Sequence, residues 1–378
     1  MLDRIRRLVR MPHHPPTSSR SLGRLSAMRQ CVRKRSAPWN IGATVSVALA
    51  AFLPGGPAMA QDFFAGKTIN IIAGADVGGG YDIYARALAR HMDRHIPGKP
   101  TIIVQNMPGA GSKKAAEYMF TQAPKDGTAI AIIFPGAIMG PLLEEGAAGR
   151  FDPKQFEYLG TADSGTRVCV TWHGSKTKTF EDAQQIGGVL GASQAGGSSR
   201  DYGFMLNNLA GTKFKVVSGY KGSAEISLAI ERGEVDGMCG FDWTSIKSQK
   251  PDWVKEKKLN VLVQIALEAD EELTQWGAPQ IWKYVTGDNR KVMELIVSQQ
   301  VFGRPFLAPP GTPADRVKIL RDAFMATMQD KEFLADAEKT KIVISPLAGS
   351  EVQKVVKSLY EAPKEIVERA KKAIQPPG

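Results

Sequence analysis

The chain is poor in the residues on which most enzymes depend for covalent and metal chemistry. Only three of its 378 residues are cysteine and five are histidine. It contains no nucleophile elbow of the form G-x-S-x-G, no phosphate-binding P-loop and no Cys-x-x-Cys pair. The three consecutive glycines at residues 78–80 do not have the spacing of a dinucleotide-binding fingerprint. Catalysis therefore has little support, and we predict no cofactor.

Histidine in particular is too sparse to predict a metal site. After residue 60 only His91, His95 and His173 remain. His91 and His95 are four residues apart on a predicted helix, which is the spacing of two metal ligands on one face. The residues between them lack the adjacent glutamate of a zinc protease, and no third ligand is nearby. The sequence therefore favours an ordinary helix surface and predicts no metal.

A generally basic surface is also lacking, although the formal net charge is +11. Residues 1–60 contain ten of the 49 Lys and Arg residues but only one of the 38 Asp and Glu residues, so the remainder carries +2. Nucleic-acid-binding proteins usually show a basic patch on the folded domain itself. We therefore predict no nucleic-acid partner.

The apolar run Ile41–Leu53 is too short to span a bilayer, which needs about 20 apolar residues. A basic region precedes it, and the small-x-small sequence Ala58-Met59-Ala60 follows it. Residues 1–60 are thus predicted to be an export leader that is cleaved near Ala60, with the mature protein in the periplasm. A retained anchor is the less favoured alternative. Because the basic region is long, translation from Met28 also stays open.

Removing the leader leaves two cysteines, Cys169 and Cys239, each within a strand-like run. In an oxidising periplasm an isolated pair can form a disulfide. Buried free cysteine is equally at home in strands. Both interpretations stay open.

From Lys67 onward strand-like and helical patterns alternate, which indicates an α/β fold. An apolar strand over residues 68–72 runs into a glycine-rich loop that ends at Asp82, and a helix pattern follows at once. The first N–H groups of a helix lack intrahelical partners and carry partial positive charge, so an anion is favoured there. A second strand ends in a similar loop, residues 106–112. We expect the two loops to lie side by side as an anion site, with plain chain turns as the alternative.

The later sequence predicts a second domain. It opens with a strand at Arg167–Trp172 and contains two further loops rich in glycine and hydroxyl groups, Ser193–Asp201 and Tyr220–Ser223. Strand-like segments at Val261–Ile265 and Gln300–Phe302 suggest connections back to the first domain. We predict a leader over 1–60, a first domain from 61–165 and 300–378, and a second domain over 166–299.

Several motifs between residues 68 and 313 have the composition and spacing of one known family. The loop Ala75–Asp82 is similar to proline-glycine-glycine-x-x-aspartate, and Asn106–Gly111 matches asparagine-x-proline-glycine-alanine-glycine. Further matches are at Pro124–Gly127, Tyr220–Gly222, Gly233–Asp236, Phe241–Asp242 and Pro309–Pro313. The chain thus resembles the periplasmic solute-binding proteins of tripartite tricarboxylate transporters, the Bug family.

The resemblance implies a two-domain periplasmic-binding-protein fold of the Venus-flytrap, type II-like kind, in which each domain is a mixed sheet flanked by helices. It implies that loops of the first domain hold a ligand carboxylate through backbone amides and water, while residues of the second domain face them. The residues carried over as substrate-binding are Ala75, Asp76, Gly78, Gly79, Gly80, Tyr81, Asp82, Pro108, Gly109, Ala110, Gly111, Ser112, Ser193, Gln194, Gly196, Gly197, Ser198, Arg200, Asp201, Tyr220 and Asp242.

The sequence departs from the family's pattern in two of these loops. Asp76 stands where the family has proline, so it either faces solvent or caps a helix, or it meets an amino group or cation of the ligand. Arg200 either forms a bidentate pair with a second ligand carboxylate, pairs with Asp201, or has a surface role. Trp172 and Trp243 either line the cleft or belong to the core.

The predicted function is capture of a small organic carboxylate and its delivery to membrane transporter subunits, by a monomeric protein that performs no chemistry itself. One alternative is a hydrolase or transferase on the same α/β scaffold that uses Asp82 and Asp242. Another is a binding protein that reports to a sensor kinase. The sequence does not identify the carboxylate, because backbone amides and water leave little side-chain record.

Overall fold

The computed structural model describes residues 63–144 and 150–377. The predicted leader, its cleavage site at Ala60 and the alternative start at Met28 lie outside the described residues. Within the two described ranges, no helix combines the length and the apolar character that a membrane crossing requires.

Eleven strands and fourteen helices are described, and we number each kind in chain order. The strands are β1 (Thr68–Ala73), β2 (Thr101–Asn106), β3 (Ala129–Ile132), β4 (Glu157–Thr161), β5 (Arg167–Trp172), β6 (Gly188–Ala192), β7 (Phe214–Ser218), β8 (Gly237–Asp242), β9 (Leu259–Ile265), β10 (Pro305–Ala308) and β11 (Leu347–Ala348). The helices are α1 (Gly80–His91), α2 (Lys113–Thr121), α3 (Pro135–Leu143), α4 (Phe180–Gln185), α5 (Ser198–Ala210), α6 (Ser223–Glu231), α7 (Trp243–Gln249), α8 (Pro251–Lys255), α9 (Glu271–Gln275), α10 (Gly287–Val297), α11 (Ala314–Thr327), α12 (Lys331–Lys339), α13 (Gly349–Tyr360) and α14 (Lys364–Ala373).

The strands form two mixed sheets, and helices flank both. The first sheet has the order β11-β4-β10-β3-β1-β2, with β1 parallel to both β2 and β3 and with β10 antiparallel to β3 and β4. The second has the order β7-β6-β8-β5-β9, with β6 parallel to β7 and β8 and with β5 antiparallel to β8 and β9. Because β1 to β3 run parallel, the loops that follow β1 and β2 emerge at the same edge of the first sheet.

The chain passes between the sheets twice. It leaves the first sheet after β4 and returns to it at β10. The strand expected at Gln300–Phe302 is wrong, because these residues belong to a short 3-10 helix, Ser298–Phe302, and the returning strand begins at Pro305. The strand predicted at Val261–Ile265 is present as part of β9, which lies at the edge of the second sheet. The exact domain boundaries stay a prediction.

Cys169 and Cys239 lie on the neighbouring strands β5 and β8, and the structure joins them as a disulfide. Both side chains are fully buried within a large apolar cluster. The bridge therefore ties the middle of the second sheet across 70 residues of sequence.

His91 and His95 face helix α12. The ring of His91 is 2.9 Å from a carboxylate oxygen of Asp336, and the ring of His95 is 2.8 Å from one of Asp330. Across residues 63–144 and 150–377, no group of three His, Cys, Asp or Glu side chains is arranged to hold a metal ion. These histidines thus join two helices of the first domain.

Candidate ligand-binding cleft

A cavity lies between the two sheets, at the edge where α1, α5 and α6 begin. The empty space within it, which includes space open to solvent, is about 470 Å³. Both domains contribute to its lining, which consists of Ala75, Asp76, Gly80, Tyr81, Phe134, Arg167, Ser193, Ser198, Ser199, Gly222, Ser223, Met238, Gly240, Phe241, Asp242, Ser245 and Arg304.

The first glycine loop leads into α1, and Asp82 fixes its shape. The buried Asp82 carboxylate accepts hydrogen bonds of 2.9 Å from the Gly78 amide, the Arg86 guanidinium and the Asn106 side chain. Burial opposes its ionisation, but the hydrogen bonds from Arg86, Gly78 and Asn106 outweigh burial and lower the pKa. Asp82 therefore holds the loop to the end of β2, while Gly80 and Tyr81 face the cavity.

In the second domain, the loop before α5 is likewise held by an aspartate of the helix that follows it. Asp201 accepts a hydrogen bond of 3.1 Å from the Gly196 amide, as Asp82 does from Gly78. Ser199 Oγ accepts a hydrogen bond of 2.9 Å from the Ser193 amide. The hydroxyl of Ser198 donates to the carbonyl of Gly240 over 2.8 Å. The loop is thus held from both sides, and its serines line the cavity.

Two buried arginines form the floor of the cavity, and both pair with Asp242. Arg167, on β5, contacts one carboxylate oxygen of Asp242. Arg304, which immediately precedes β10, contacts the other oxygen over 2.8 Å and so joins the two domains. The Ser245 amide donates a further bond of 2.9 Å to Asp242, which caps α7. Burial opposes ionisation of Asp242, but the two guanidinium groups and Ser245 outweigh burial and lower its pKa.

The donors of the two arginines are only partly used by this pairing. Arg304 is fully buried between aromatic rings, 4.4 Å from the centre of Tyr81 and 5.1 Å from that of Tyr84. Its terminal nitrogens also donate to the Gly303 carbonyl over 3.0 Å and to Ser245 Oγ over 2.7 Å, and its Nε has no hydrogen-bond partner among the described residues. Arg167 reaches only the Tyr81 hydroxyl with its second terminal nitrogen, over 3.5 Å. Because unpaired buried donors are costly, this floor is suited to an added acceptor.

A second carboxyl group, Asp163, lies beside Asp242. A Cβ added to Gly165 would lie 2.2 Å from an oxygen of Asp242 and 2.8 Å from one of Asp163. Burial, reinforced by the charge of Asp242, raises the pKa of Asp163 to about 7. Below about pH 7, where Asp163 is mostly protonated, the two arginines outnumber the one ionised carboxylate of the floor, Asp242, which favours an anionic ligand.

Asp76, on the rim of the cavity, contacts the second domain. Its carboxylate accepts a hydrogen bond of 3.4 Å from the Glu225 amide in the first turn of α6. Its other oxygen is buried and has no partner within residues 63–144 and 150–377. Burial raises its pKa, although backbone amides of α6 act in the opposite direction.

The second predicted loop, Pro108–Ser112, lies next to the second domain but does not line the cavity. A Cβ added to Gly111 would lie 2.3 Å from the Ala195 carbonyl oxygen, so this loop packs directly on the loop before α5. The hydroxyl of Ser112 donates to the Gly74 carbonyl over 2.5 Å. Gly109, Ala110, Gly111 and Ser112 all have positive φ, which gives the tight turn.

Several other expected site residues lie away from the cavity. Arg200 pairs with Asp201 over 3.0 Å and donates to the Ile374 carbonyl over 3.0 Å, so it ties the C-terminal segment to α5. Tyr220 packs in the core of the second domain. The remaining expected residues that do not line the cavity shape its loops, namely Gly78, Gly79, Asp82, Gln194, Gly196 and Gly197. Trp172 and Trp243 belong to the same core.

Several cavity residues, above all the two arginines, were not among the site residues expected from the sequence. Arg167 opens a strand and Arg304 follows Gly303, and neither lies in a recognisable loop motif. The only sequence indication is that each is a charged residue beside an apolar strand. Phe134, Ser199, Gly222, Ser223, Met238, Gly240, Phe241 and Ser245 were also missed.

No protein-family profile matches the chain. A UPF0065 protein of Cupriavidus necator, encoded in a gbd 5′ region, is 28% identical over 299 residues, which cover 76% of this chain and 81% of that protein. The periplasmic binding protein BugD superimposes with a TM-score of 0.63 at 21% identity, covering 81% of this chain and 97% of BugD. MatC of Rhodopseudomonas palustris, with bound malate, superimposes with a TM-score of 0.61 at 18% identity, covering 82% and 99%.

Two mixed sheets with a cleft between them define the class: the fold is that of the two-domain periplasmic binding proteins. Within that class, the resemblance to the Bug-type proteins that the motifs indicated is confirmed. The predicted fold class is confirmed as well.

Proposed function

We propose that this protein is an exported solute-binding protein of the Bug family that captures a small organic carboxylate between its two domains. The observation that carries the proposal is the cavity floor, where Arg167 and Arg304 are both buried, one carboxylate faces the two of them, and Arg304 Nε has no partner among the described residues. The starts of α1 and α5 add backbone amides and serine hydroxyls at the same cavity. Buried donors that converge from two domains favour an anion whose binding holds the domains together.

We propose that binding of this kind gives the loaded protein a form that a partner can recognise. Arg304 belongs to the first domain and contacts Asp242 of the second, while the loop around Gly111 touches the loop at Ala195. A ligand that contacts both walls stabilises this closed arrangement, and a membrane partner can recognise the closed form. We propose that the partner is the membrane pair of a tripartite tricarboxylate-type transporter, with the exchange taking place in the periplasm. A sensor kinase partner is the alternative, and the neighbouring genes distinguish the two.

The geometry gives the enzymatic alternative little support. Asp82 is engaged by Gly78, Arg86 and Asn106 outside the cavity lining, and Asp242 is held by two arginines. Neither carboxylate is placed as a general acid or base toward a shared substrate atom. We propose binding without turnover. Recovery of a chemically altered ligand after incubation would contradict this.

A thermal-shift screen of organic acids tests the function. The protein is first unfolded, dialysed and refolded, so that no solute bound during expression can mask the shift. A carboxylate at about a hundred times its dissociation constant should stabilise the folded state by about 2.7 kcal/mol. Matched alcohols and amides of the same carbon skeletons serve as controls and should give no shift. Stabilisation by sugars or by cations, with none from carboxylates, would contradict the proposal.

A further inference from the structure

Asp76 brings a carboxylate of the first domain to a helix of the second. It lies in the loop between β1 and α1, and its Oδ2 accepts a hydrogen bond from the Glu225 amide over 3.4 Å. The amide of Ala224, in the same turn of α6, also stabilises its charge. The start of α6 borders the cavity through Ser223. One of the helix N-termini around the cleft is therefore already occupied by the protein's own anion.

The approach is close, and the two chain segments are shaped to allow it. A Cβ added to Gly222 would lie 2.1 Å from Oδ1 of Asp76, and one added to Gly79 would lie 2.3 Å from the same atom. Glycine at both positions leaves room for the carboxylate between the domains. In the part of the chain that the structure describes, Oδ1 is buried there without a hydrogen-bond partner, although Asp76 lines the cavity.

The charge of Asp76 is poorly compensated. Burial is the largest influence on its carboxyl group and raises the pKa, and the nearby side chain of Glu225, also acidic, raises it further. The arginines of the floor pair with Asp242 instead. A carboxylate in this position is stabilised by a cation or a strong hydrogen-bond donor brought by a ligand.

We propose that Asp76 determines which carboxylates the cleft binds. Its Oδ2 occupies the N-terminal amides of α6, and its Oδ1 accepts a hydrogen bond from a donor group of the ligand. The ligand is then a carboxylate whose far end carries an ammonium group. A second carboxylate at that end finds the helix amides occupied and a like charge beside it. This inference rests on the proposed function, since it assumes that the arginine floor binds the first carboxylate.

Two sets of chain-matched ligands test the inference by calorimetry. Each set holds the unbranched monocarboxylate, the α,ω-dicarboxylate and the ω-amino acid, once with four carbons and once with six. We compare the wild-type protein with Asp76→Asn, and use Asp322→Asn as the control because Asp322 is an exposed aspartate on α11 of the first domain. Thermal unfolding of each variant verifies that it is folded.

In the better-binding set, the wild type should bind the ω-amino acid about tenfold or more tightly than the monocarboxylate, and the dicarboxylate most weakly. Asp76→Asn should reduce the amino-acid advantage to about threefold or less and improve dicarboxylate binding, while Asp322→Asn preserves the wild-type order.

Equal binding of the dicarboxylate and the ω-amino acid by the wild type would overturn the inference, as would an unchanged order in Asp76→Asn. In both cases binding of the monocarboxylate would still support the proposed function. Binding of no acid in either set would overturn the inference, while stabilisation by another carboxylate in the thermal-shift screen would still support the proposed function.

Discussion

At the scale of single residues, the cleft depends on acidic side chains that have different structural roles. Asp82 and Asp201 each bond to an amide of the loop before their own helix, whereas Asp242 anchors the two arginines. The environment of each sets its charge: hydrogen-bond donors hold Asp82 ionised, and burial favours the protonated form of Asp201. Equivalent positions in the two domains therefore differ in their response to pH.

Asp82→Ala should destabilise the fold. The substitution leaves the Gly78 amide, the Arg86 guanidinium and the Asn106 side chain without their shared acceptor. We expect the free energy of unfolding to fall by about 3 kcal/mol, measured by urea denaturation. Asp322→Ala, at an exposed site, should change it by about 0.5 kcal/mol or less. Lost ligand binding with unchanged stability would instead assign Asp82 to the ligand.

Asp201→Asn should change how stability depends on pH. Burial raises the pKa of Asp201 to about 7, despite the opposing charge of Arg200. Between about pH 4 and pH 7 the folded state therefore holds a proton that the unfolded state has lost, so this group's contribution to stability is present at low pH and declines as the pH rises.

The stability of the wild type relative to Asp201→Asn should thus fall between pH 5 and pH 7, by at most about 1.4 kcal/mol per pH unit. Urea denaturation of both proteins at the two pH values measures this difference. Asp163 contributes equally to both proteins and cancels. A difference that does not change with pH would show that Asp201 is ionised throughout the range.

At the scale of elements, the two domains meet through backbone that carries no side chain. Gly111 lies against the Ala195 carbonyl, and Gly136, at the start of α3, lies against Gly196. A Cβ at Gly136 would be 1.8 Å from the Gly196 carbonyl oxygen. These backbone contacts leave no space for a side chain, so the loops form an interface between the domains as well as the wall of a site.

Gly111→Ala should weaken ligand binding without unfolding either domain. The new Cβ would meet backbone of the second domain at 2.3 Å, so the loops must separate. Because Gly111 has φ +61°, alanine also carries backbone strain of about 1 kcal/mol. Gly277→Ala is the matched control, since its φ is +77° and a Cβ there would meet no described residue within 4 Å.

Titration calorimetry should show at least tenfold weaker binding for Gly111→Ala than for Gly277→Ala, and small-angle scattering should show a less compact particle. Equal affinities of the two variants would mean that the Gly111 contact is incidental to closure.

At the scale of the whole molecule, the fold was predictable and the floor of the cleft was not. Alternating strands and helices indicated an α/β fold, and motifs from Ala75 to Pro313 indicated its class, because turns and helix starts leave local sequence patterns. Arg167 and Arg304 are 137 positions apart in the numbering and converge only when the chain returns to the first sheet. Arg200, which a local pattern suggested, instead binds the C-terminal segment.

If the arginine floor binds the carboxylate of the ligand, removing one of its arginines must weaken binding. Calorimetry on two arginine variants measures this. The best acid of the screen is titrated into refolded, ligand-free wild type, into Arg167→Met and into Arg90→Met, whose arginine is exposed and pairs with Asp336 of α12. Binding should be at least about hundredfold weaker for Arg167→Met and unchanged for Arg90→Met. Wild-type affinity in a folded Arg167→Met protein would contradict this role of the floor.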